Sequence, residues 1–421
     1  MALPASGPIS FSDLNLEIRK GSTATTSLGD AAVRTTANRL GGSQSISFAD
    51  LYGRTYGAST VFAATTGTTR AHAYRWSQGF GTKYSNPGSL PANNTYHVQA
   101  NQKKTAVGFI HASLTGRYVA FYPWSDSSGF GTRYTAPSTY PVTSVYFSSG
   151  NGVMTFSTDG NAVIIGGSSS APTTVAWAWS DASGFGTKFS DPSTSPPDAH
   201  AVKLYGGPSG SNPPDDVVLF SATSTSADRV SAWAFNSSTG WGAKKTAPAS
   251  LPSSSAYSIT SNIFVVIYGT LGTGERRSVA YDFDFYAGFG TRYSTMASTV
   301  ILASPNSCQL SWIKTGSFSP VITYAWGSGS GALSGAGFVT LEWNYNGWGS
   351  AYSNPATVLP NTDGGGNDVS FNLNLDVGIG HFVAPYMSIY PWNNGYGTKY
   401  ADPATSTSET CNGIHMATSF S

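Results

Sequence analysis

Residues 174–192 read TVAWAWSDASGFGTKFSDP, and this stretch decides the fold. The run from Thr174 to Ser180 alternates along the chain with a period of two, which is typical of a half-buried β-strand. Turn-forming residues follow, and the triplet Gly184-Phe185-Gly186 leads into a second short run. The stretch therefore predicts two β-strands that are joined by a turn.

The Gly-aromatic-Gly triplet recurs seven times, which makes the chain a repeat protein. The first glycines of successive triplets are separated by 50, 55, 56, 48, 59 and 48 residues. An aromatic residue precedes each triplet by three to five positions, and Thr-Lys/Arg-aromatic commonly follows it. The triplets are Gly79-Phe80-Gly81, Gly129-Phe130-Gly131, Gly184-Phe185-Gly186, Gly240-Trp241-Gly242, Gly288-Phe289-Gly290, Gly347-Trp348-Gly349 and Gly395-Tyr396-Gly397.

Each repeat has room for four short strands separated by turns. In the third repeat these are predicted at Val142–Ser148, Ala162–Gly166, Thr174–Ser180 and Gly186–Ser190. Four strands in about 50 residues, repeated seven times, predict an all-β chain folded as a seven-bladed β-propeller. Its domain would span residues 58–421.

The two ends of this domain are complementary. Residues 413–420 look like the first strand of a further unit, whereas residues 60–64 and 71–76 look like the later strands of a unit that lacks its first. Joining the ends makes one complete blade, and a ring closed in this way leaves no wide-open sheet edge.

Residues 1–57 form a separate N-terminal segment. They contain five Lys or Arg and four Asp or Glu, so nine of the chain's 43 charges. Three sites with helix-capping character predict short helices that are too small to bury a core alone. Such a segment needs a partner, and its predicted docking residues are apolar: Phe11, Leu14, Leu16, Ile18, Phe48 and Leu51. Packing of the segment on the side of the propeller is the alternative.

Three stretches of this segment carry a family resemblance. They are residues 3–17 (LPASGPISFSDLNLE), residues 27–34 (SLGDAAVR) and residues 46–53 (ISFADLYG). Together they resemble the N-terminus of tailed-bacteriophage structural proteins, often tail-fibre or tail-tip proteins. The resemblance covers about 55 residues and implies a virion-attachment segment that binds other virion proteins. It does not distinguish the tail from the head.

Composition excludes several functional classes. The chain has 421 residues and a net charge of +1, and only 10% of its residues are charged, against about 25% in an average soluble protein. A protein that coats nucleic acid would be far more basic. No apolar run approaches the length that spans a bilayer, and the first residues lack the pattern of a signal peptide. The two cysteines, Cys308 and Cys411, cannot form a disulfide framework.

The sequence shows no motif for catalysis or for a cofactor. None of the six histidines has metal-ligand spacing; they are His72, His97, His111, His200, His381 and His415. Glutamate is scarce, although aspartates such as Asp215 and Asp216 could converge in space as the paired carboxylates of a glycoside hydrolase. We therefore expect no enzymatic activity, no cofactor and no metal, with a polysaccharide depolymerase as the least favoured alternative.

Two sets of equivalent residues are candidates for ligand binding. The aromatic set could stack on sugar rings: Tyr84, Tyr134, Phe189, Tyr293, Tyr352 and Tyr400. The basic set could attract an anionic glycan or a lipopolysaccharide phosphate: Lys83, Arg133, Lys188, Lys244, Arg292 and Lys399. Packing between blades is the alternative for the aromatic set, and protection of an edge strand is the alternative for the basic set.

The sequence hypothesis is a phage virion protein, of the tail-fibre or tail-tip adhesin type, whose propeller binds a host surface glycan. A head or tail decoration protein with a purely structural propeller is the alternative. Either would assemble in the host cytoplasm, without nucleic acid or membrane insertion, and is compatible with a homo-oligomer that multiplies weak sites through avidity.

Overall fold

The computed structural model of the chain is all-β. In the part of the chain that is described, helical residues are limited to isolated positions at Phe11 and Val33, and no helix is long and apolar enough to cross a membrane. The structure describes residues 10–11, 25, 27–28, 33, 59–77, 79–111, 119–137, 154–167, 173–192, 199, 201–206, 215–222, 228–251, 256–261, 264–270, 276–293, 308–313, 321–326, 338–344, 347–353, 366–371, 376–381, 386–392, 395–404 and 409–418.

The described strands form antiparallel sheets, six of four strands and one of three. The first sheet contains β1 (Ser59–Thr65), β2 (Ala71–Trp76), β3 (Phe80–Lys83) and the last strand of the chain, β27 (Cys411–Thr418). The second contains β4 (Thr95–Ala100), β5 (Ala106–His111), β6 (Val119–Ser125) and β7 (Gly129–Phe130). The third contains β8 (Met154–Phe156), β9 (Ala162–Gly166), β10 (Thr174–Ser180) and β11 (Gly184–Lys188).

The remaining sheets follow in chain order. The fourth contains β12 (Ala201–Gly206), β13 (Asp215–Ser221), β14 (Val230–Asn236) and β15 (Gly240–Lys244). The fifth contains β16 (Ala256–Ser261), β17 (Phe264–Thr270), β18 (Arg276–Asp284) and β19 (Gly288–Arg292). The sixth contains β20 (Cys308–Ile313), β21 (Val321–Trp326), β22 (Phe338–Asn344) and β23 (Gly347–Ala351). The seventh contains β24 (Gly366–Phe371), β25 (Asp376–His381) and β26 (Met387–Pro391).

The triplet explains how each sheet ends. In five of the seven sheets its first glycine begins the short fourth strand, and Gly184 does so at a φ of 79°, a left-handed conformation that favours glycine. A Cβ at Gly184 would lie 2.8 Å from the ring of Tyr134, so the neighbouring repeat leaves no room for a side chain there. The register of the strand pair then shifts between Trp177 and Trp179, which marks a bulge in the hairpin.

The first strand of each sheet contacts the first strands of its neighbours, and these contacts form a closed cycle. The order is β27, β4, β8, β12, β16, β20, β24 and back to β27. We call these the inner strands. They carry residues from every repeat to a common centre, and the candidate site described below lies there.

The first sheet joins the two ends of the described domain. Strand β27 pairs antiparallel with β1, from Ser59 opposite Thr418 to Thr65 opposite Cys411. Just before β27, the Glu409 carboxylate accepts hydrogen bonds from the backbone N–H of Thr68 and of Thr69, each at 2.8 Å, and from the Thr65 hydroxyl at 2.7 Å. The C-terminal strand is therefore held to the first repeat by main-chain pairing and by a carboxylate.

The all-β fold and the four-stranded antiparallel sheets are confirmed. In the third repeat, β9 and β10 have the predicted bounds, whereas the fourth strand starts two residues earlier than predicted. The first strand of that sheet is Met154–Phe156, which was not predicted, and the predicted strand Val142–Ser148 lies outside the described residues. A three-residue strand is too short to show alternation, which explains why the sequence did not reveal it. The predicted N-terminal helices also lie largely outside the described residues.

Candidate functional site

The predicted aromatic ligand-binding residues pack between neighbouring sheets. Each ring meets, edge to face, the aromatic residue that ends the third strand of the next sheet. The ring centroids are 4.7 Å apart for Tyr84–Trp124, 5.0 Å for Tyr134–Trp179, 5.6 Å for Phe189–Phe235, 5.0 Å for Tyr293–Trp343, 4.9 Å for Tyr352–Trp392 and 4.9 Å for Tyr400–Trp76. The rings thus hold adjacent sheets together, which is the alternative that the sequence left open for them.

The remaining junction uses a cation instead of an aromatic ring. Lys245 occupies the position equivalent to Tyr84, and its Nζ lies 5.6 Å from the centroid of the Phe285 ring. The ammonium donates to the carbonyl of Tyr286 at 3.1 Å, just as the Tyr84 hydroxyl donates to the carbonyl of Asp126 at 2.8 Å. The fourth and fifth sheets are therefore bridged by an ammonium that contacts Phe285 and Tyr286, in the turn after β18.

Five of the predicted basic residues lie on or just after the outer, fourth strand of their sheets, and Lys399 follows the triplet of the seventh repeat, whose fourth strand is not among the described strands. Several are bound locally: Lys188 pairs with Asp191 at 2.8 Å, Lys399 pairs with Asp402 at 2.7 Å, and Arg133 donates to the carbonyl of Val119 at 3.0 Å. Lys244 pairs with Asp228, and Arg292 donates to the Ser250 hydroxyl. Burial lowers the pKa of Lys83. These partners use much of the cationic hydrogen-bonding capacity that a shared anion site would need.

The other predicted residues do not build a site in the described part of the chain. Phe11 is exposed, and the rest of the predicted docking set, Leu14, Leu16, Ile18, Phe48 and Leu51, lies outside the described residues. Asp216 is only 1% exposed, and it accepts hydrogen bonds from the backbone N–H of Thr158 at 2.9 Å and from its hydroxyl at 2.6 Å. It therefore anchors a turn of the neighbouring sheet. Within the described ranges, no group of three or more His, Cys, Asp or Glu residues could hold a metal ion.

The inner strands enclose a polar cavity that the sequence did not reveal. We call it the inner-strand cavity; its volume is about 230 Å³, and it lies among β4, β8 and β12. Amides, hydroxyls and one ammonium supply its polar groups. These groups belong to Gln99, Gln102, Thr155, Thr158 and Lys203.

Two histidines lie on inner strands within electrostatic range of Lys203. His97 precedes Gln99 by two positions on β4, so both occupy the face opposite the buried Val98 and Ala100. His415 lies on β27, the neighbouring inner strand, where Gly413 approaches the Cα of His97 so closely that a Cβ would lie 3.1 Å from it. The three residues are far apart in sequence, and the cycle of inner strands brings them together.

Both imidazoles are neutral at physiological pH. Burial, reinforced by the positive charge of Lys203, lowers the pKa of His97 and of His415 to about 3. His97 is almost fully buried, whereas His415 retains partial exposure to solvent. A neutral imidazole accepts a proton through one nitrogen and donates through the other. The cavity itself thus supplies a cation, amides and hydroxyls, and two neutral imidazoles on inner strands lie within electrostatic range of its cation.

This arrangement defines an all-β protein of the propeller-like class, with a polar cavity enclosed by its inner strands. No family model and no curated protein matches the chain. Among solved structures, it is similar to the periplasmic gluconolactonase PpgL of Pseudomonas aeruginosa, with 10% identity, a TM-score of 0.55, and coverage of 85% of this chain and 99% of that one.

Two further structures show the same extent of similarity. A Bacteroides uniformis protein, proposed to be a 6-phosphogluconolactonase, has 12% identity, a TM-score of 0.53 and coverage of 85% and 99%. A Lactobacillus plantarum protein has 8% identity, a TM-score of 0.56 and coverage of 86% and 99%. Identities this low establish the fold only.

These neighbours correct the functional predictions made from the sequence. Three of the similar structures are named as gluconolactonases or 6-phosphogluconolactonases rather than as phage adhesins, so the prediction of a phage tail-fibre adhesin is wrong. The prediction that the protein is not an enzyme is wrong for the same reason. The sequence could not reveal this, because its candidate residues were chosen by repetition, whereas the cavity residues break the repeat.

Proposed function

We propose that the described domain is a seven-bladed β-propeller spanning residues 58–421. The closed cycle of inner strands and the pairing of β27 with β1 support this arrangement. Antiparallel sheets with four strands each are the usual blades of such a fold. Electron-microscopy class averages viewed down the central axis should show seven radial lobes, and six or eight lobes would contradict the proposed number.

We propose further that the protein hydrolyses a cyclic ester of a polyhydroxylated acid in the inner-strand cavity. The observation that carries this proposal is the Lys203 ammonium at a cavity whose other polar side chains are amides and hydroxyls, with His97 and His415 on inner strands within electrostatic range of Lys203. Amides and hydroxyls suit the hydroxyl groups of a sugar-derived substrate, because they donate and accept without adding charge. The lactonase names of the neighbouring structures agree with this substrate class.

The proposed reaction uses the chain's own groups. His415 accepts a proton from a water molecule whose oxygen attacks the ester carbonyl carbon. Lys203 stabilises the negative charge that develops on the carbonyl oxygen, and this charge also raises the proton affinity of the nearby imidazole. The ring C–O bond then breaks, and the alkoxide oxygen takes the proton from the imidazolium. The product is the open hydroxy acid.

Hydrolysis of glucono-δ-lactone by the full chain tests this proposal, with the spontaneous rate subtracted in a pH-stat. The variants His415→Gln and Lys203→Met should each lower the catalysed rate about 100-fold. Lys188→Met is the matched control, because Lys188 is bound to Asp191 on an outer strand, and it should retain the full rate. A wild-type rate equal to that of buffer would overturn the proposal for this lactone class, and so would equal rates in all three variants.

The family resemblance of residues 1–57 supports a separate proposal about location. We propose that this segment attaches the propeller to a phage particle through other virion proteins, as its three motifs imply. Deleting residues 1–57 should then remove the protein from purified particles while the propeller remains folded. Incorporation of the truncated chain would contradict the attachment.

A further inference from the structure

A second cavity lies between the first and second sheets, outside the inner-strand cavity. Its volume is about 420 Å³, within the range that is common for small-molecule sites. We call it the Arg75 pocket. Its lining residues are Ser59, Thr60, Arg75, Trp76, Ser77, Tyr84, Asp126 and Ser127. They come from the start of β1, the end of β2 and the turn after β6.

Arg75 is a departure from the repeat. In every repeat, the second glycine of the triplet packs over the residue directly before the aromatic residue at the end of the third strand, and Gly81 packs over Arg75 in this way. The residues at the equivalent contacts are Pro123, Ala178, Ala234, Asp282, Glu342 and Pro391. No other repeat has a cation there. Arg75 therefore has no counterpart in the architecture that all repeats share, and its charge is left for a function specific to this pocket.

The guanidinium is oriented by contacts that do not neutralise it. It lies 5.4 Å from the centroid of the Tyr84 ring, and its Nη2 donates to the backbone carbonyl of Asp126 at 3.3 Å. The Asp126 carboxylate is bound elsewhere: it pairs with the buried Lys104 ammonium at 2.8 Å and accepts from the Trp124 indole at 3.0 Å. Arg75, Lys104 and Asp126 together carry a charge of +1, so the ion pair of Asp126 with Lys104 leaves a positive charge on the exposed Arg75.

The walls of the pocket add two other features. The half-buried ring of Tyr84 provides flat apolar surface, whereas the Trp76 side chain is only 1% exposed and is too buried to contact a ligand. Ser59, Ser77 and Ser127 also line the pocket. A planar guanidinium binds a carboxylate or a phosphate with two parallel hydrogen bonds, and serine hydroxyls can complete the coordination of such an oxyanion. An aromatic or similarly flat body would fill the apolar part.

We propose that the Arg75 pocket binds a small ligand that carries a carboxylate or phosphate monoester on a flat apolar body. The Arg75 guanidinium holds the oxyanion, and the Tyr84 ring contacts the body. The site is separate from the inner-strand cavity, so it does not depend on the proposed lactone hydrolysis.

Calorimetric titration of the full chain tests the proposal. Phenyl phosphate and benzoate are the probes for the two oxyanions, and phenol and inorganic phosphate are the probes that lack one half of the ligand. We expect at least one of the first pair to bind at least tenfold more tightly than either of the second pair. Saturable binding of phenyl phosphate alone would assign a phosphate ligand, and binding of benzoate alone would assign a carboxylate ligand.

Two arginine variants distinguish binding in the Arg75 pocket from nonspecific attraction of the probe to positive charge. Arg75→Met keeps the volume of the side chain and should weaken binding at least tenfold, whereas Arg292→Met, at another exposed arginine, should leave it unchanged. Tyr84→Phe keeps the ring that contacts the ligand body and should retain binding. Lactone hydrolysis should be unaffected by Arg75→Met. Equal affinities of wild type and Arg75→Met would overturn the proposal, and so would failure of both ring-bearing probes to bind the wild type.

Discussion

The ring of Tyr400 meets the ring of Trp76 edge to face, with centroids 4.9 Å apart and planes at 90°. Both side chains also bind the buried carboxylate of Asp376, the Trp76 indole at 2.7 Å and the Tyr400 hydroxyl at 3.1 Å. Tyr400 belongs to the last repeat and Trp76 to the first. The aromatic contact that joins five other pairs of neighbouring repeats thus also joins the two ends of the domain, across more than 300 residues.

Replacing Tyr400 with alanine should lower the free energy of unfolding by about 3 kcal/mol, because the ring contact is lost and a cavity remains. Tyr400→Phe keeps the ring and loses only the hydrogen bond to Asp376, so it should cost about 1 kcal/mol. Urea denaturation of both variants and the wild type measures the difference. Equal costs for the two variants would show that the ring contact contributes nothing.

Gly184→Ala should destabilise the protein by at least about 2 kcal/mol. The new Cβ would meet the Tyr134 ring at 2.8 Å, and the left-handed backbone at a φ of 79° adds strain. Gly88→Ala is the control, since a Cβ at Gly88 would meet no atom within 4 Å. Thermal unfolding should separate the two variants, and a similar midpoint for both would contradict the packing that we assign to the triplet glycine.

Lowering the pH should destabilise the fold already between pH 6.5 and pH 4, which is above the pH range in which most carboxylates are protonated. Burial lowers the pKa of His72 to about 4 and that of His97 and His415 to about 3, so the unfolded chain binds protons below pH 6.5 that the folded chain does not. Stability should therefore fall as the pH drops from 6.5 towards 4. A single histidine with the shift of His72 accounts for about 3 kcal/mol over this window.

Glu409 contributes to the pH dependence of stability at lower pH values than the histidines do. Its hydrogen bonds to the turn before β2 and to His72 outweigh its burial and hold its pKa at about 2, so its contribution is complete above pH 4.5 and is lost as the pH falls towards 2. Urea denaturation at pH 7, 6, 5 and 4 should show a progressive loss, and His97→Gln should make the dependence shallower. A constant free energy of unfolding from pH 7 to pH 5 would show that these histidines are not buried as neutral groups.

The repeat made the architecture predictable, because seven copies of one hairpin signal outweigh the ambiguity of any single copy. Strands β9 and β10 were predicted to the residue for this reason. The aromatic residues were also assigned to equivalent positions in the repeats. The sequence left open only whether they bind a ligand or pack between sheets. Packing against Trp124 or Trp179 depends on the next repeat, which local sequence does not describe.

The candidate site was not predictable in the same way. His97, Lys203 and His415 are separated by more than 100 residues each, and no spacing rule connects them. They share a property only after strands are assigned, namely that each lies on the inner strand of its sheet. Arg75 illustrates the same limit, because its significance comes from being unlike its six counterparts. Comparison of repeats position by position, rather than the search for shared residues, would have identified it.

Lys104 and Asp126 form an ion pair between two turns of the second sheet, and this pair bears on the charge of the Arg75 pocket. The Lys104 side chain is only 2% exposed, and burial lowers its pKa against the opposing effect of Asp126. Asp126→Ala removes the partner and leaves a buried charge uncompensated, so it should cost about 3 kcal/mol. The double variant Lys104→Met, Asp126→Ala replaces the pair with an apolar side chain of similar length, and it should be more stable than Asp126→Ala alone.

Urea denaturation of the wild type, both single variants and the double variant gives the coupling energy. Additive costs would mean that Lys104 does not depend on Asp126, and the net charge that we assign to the Arg75 pocket would then have to be revised, because the Asp126 carboxylate would be free to neutralise Arg75.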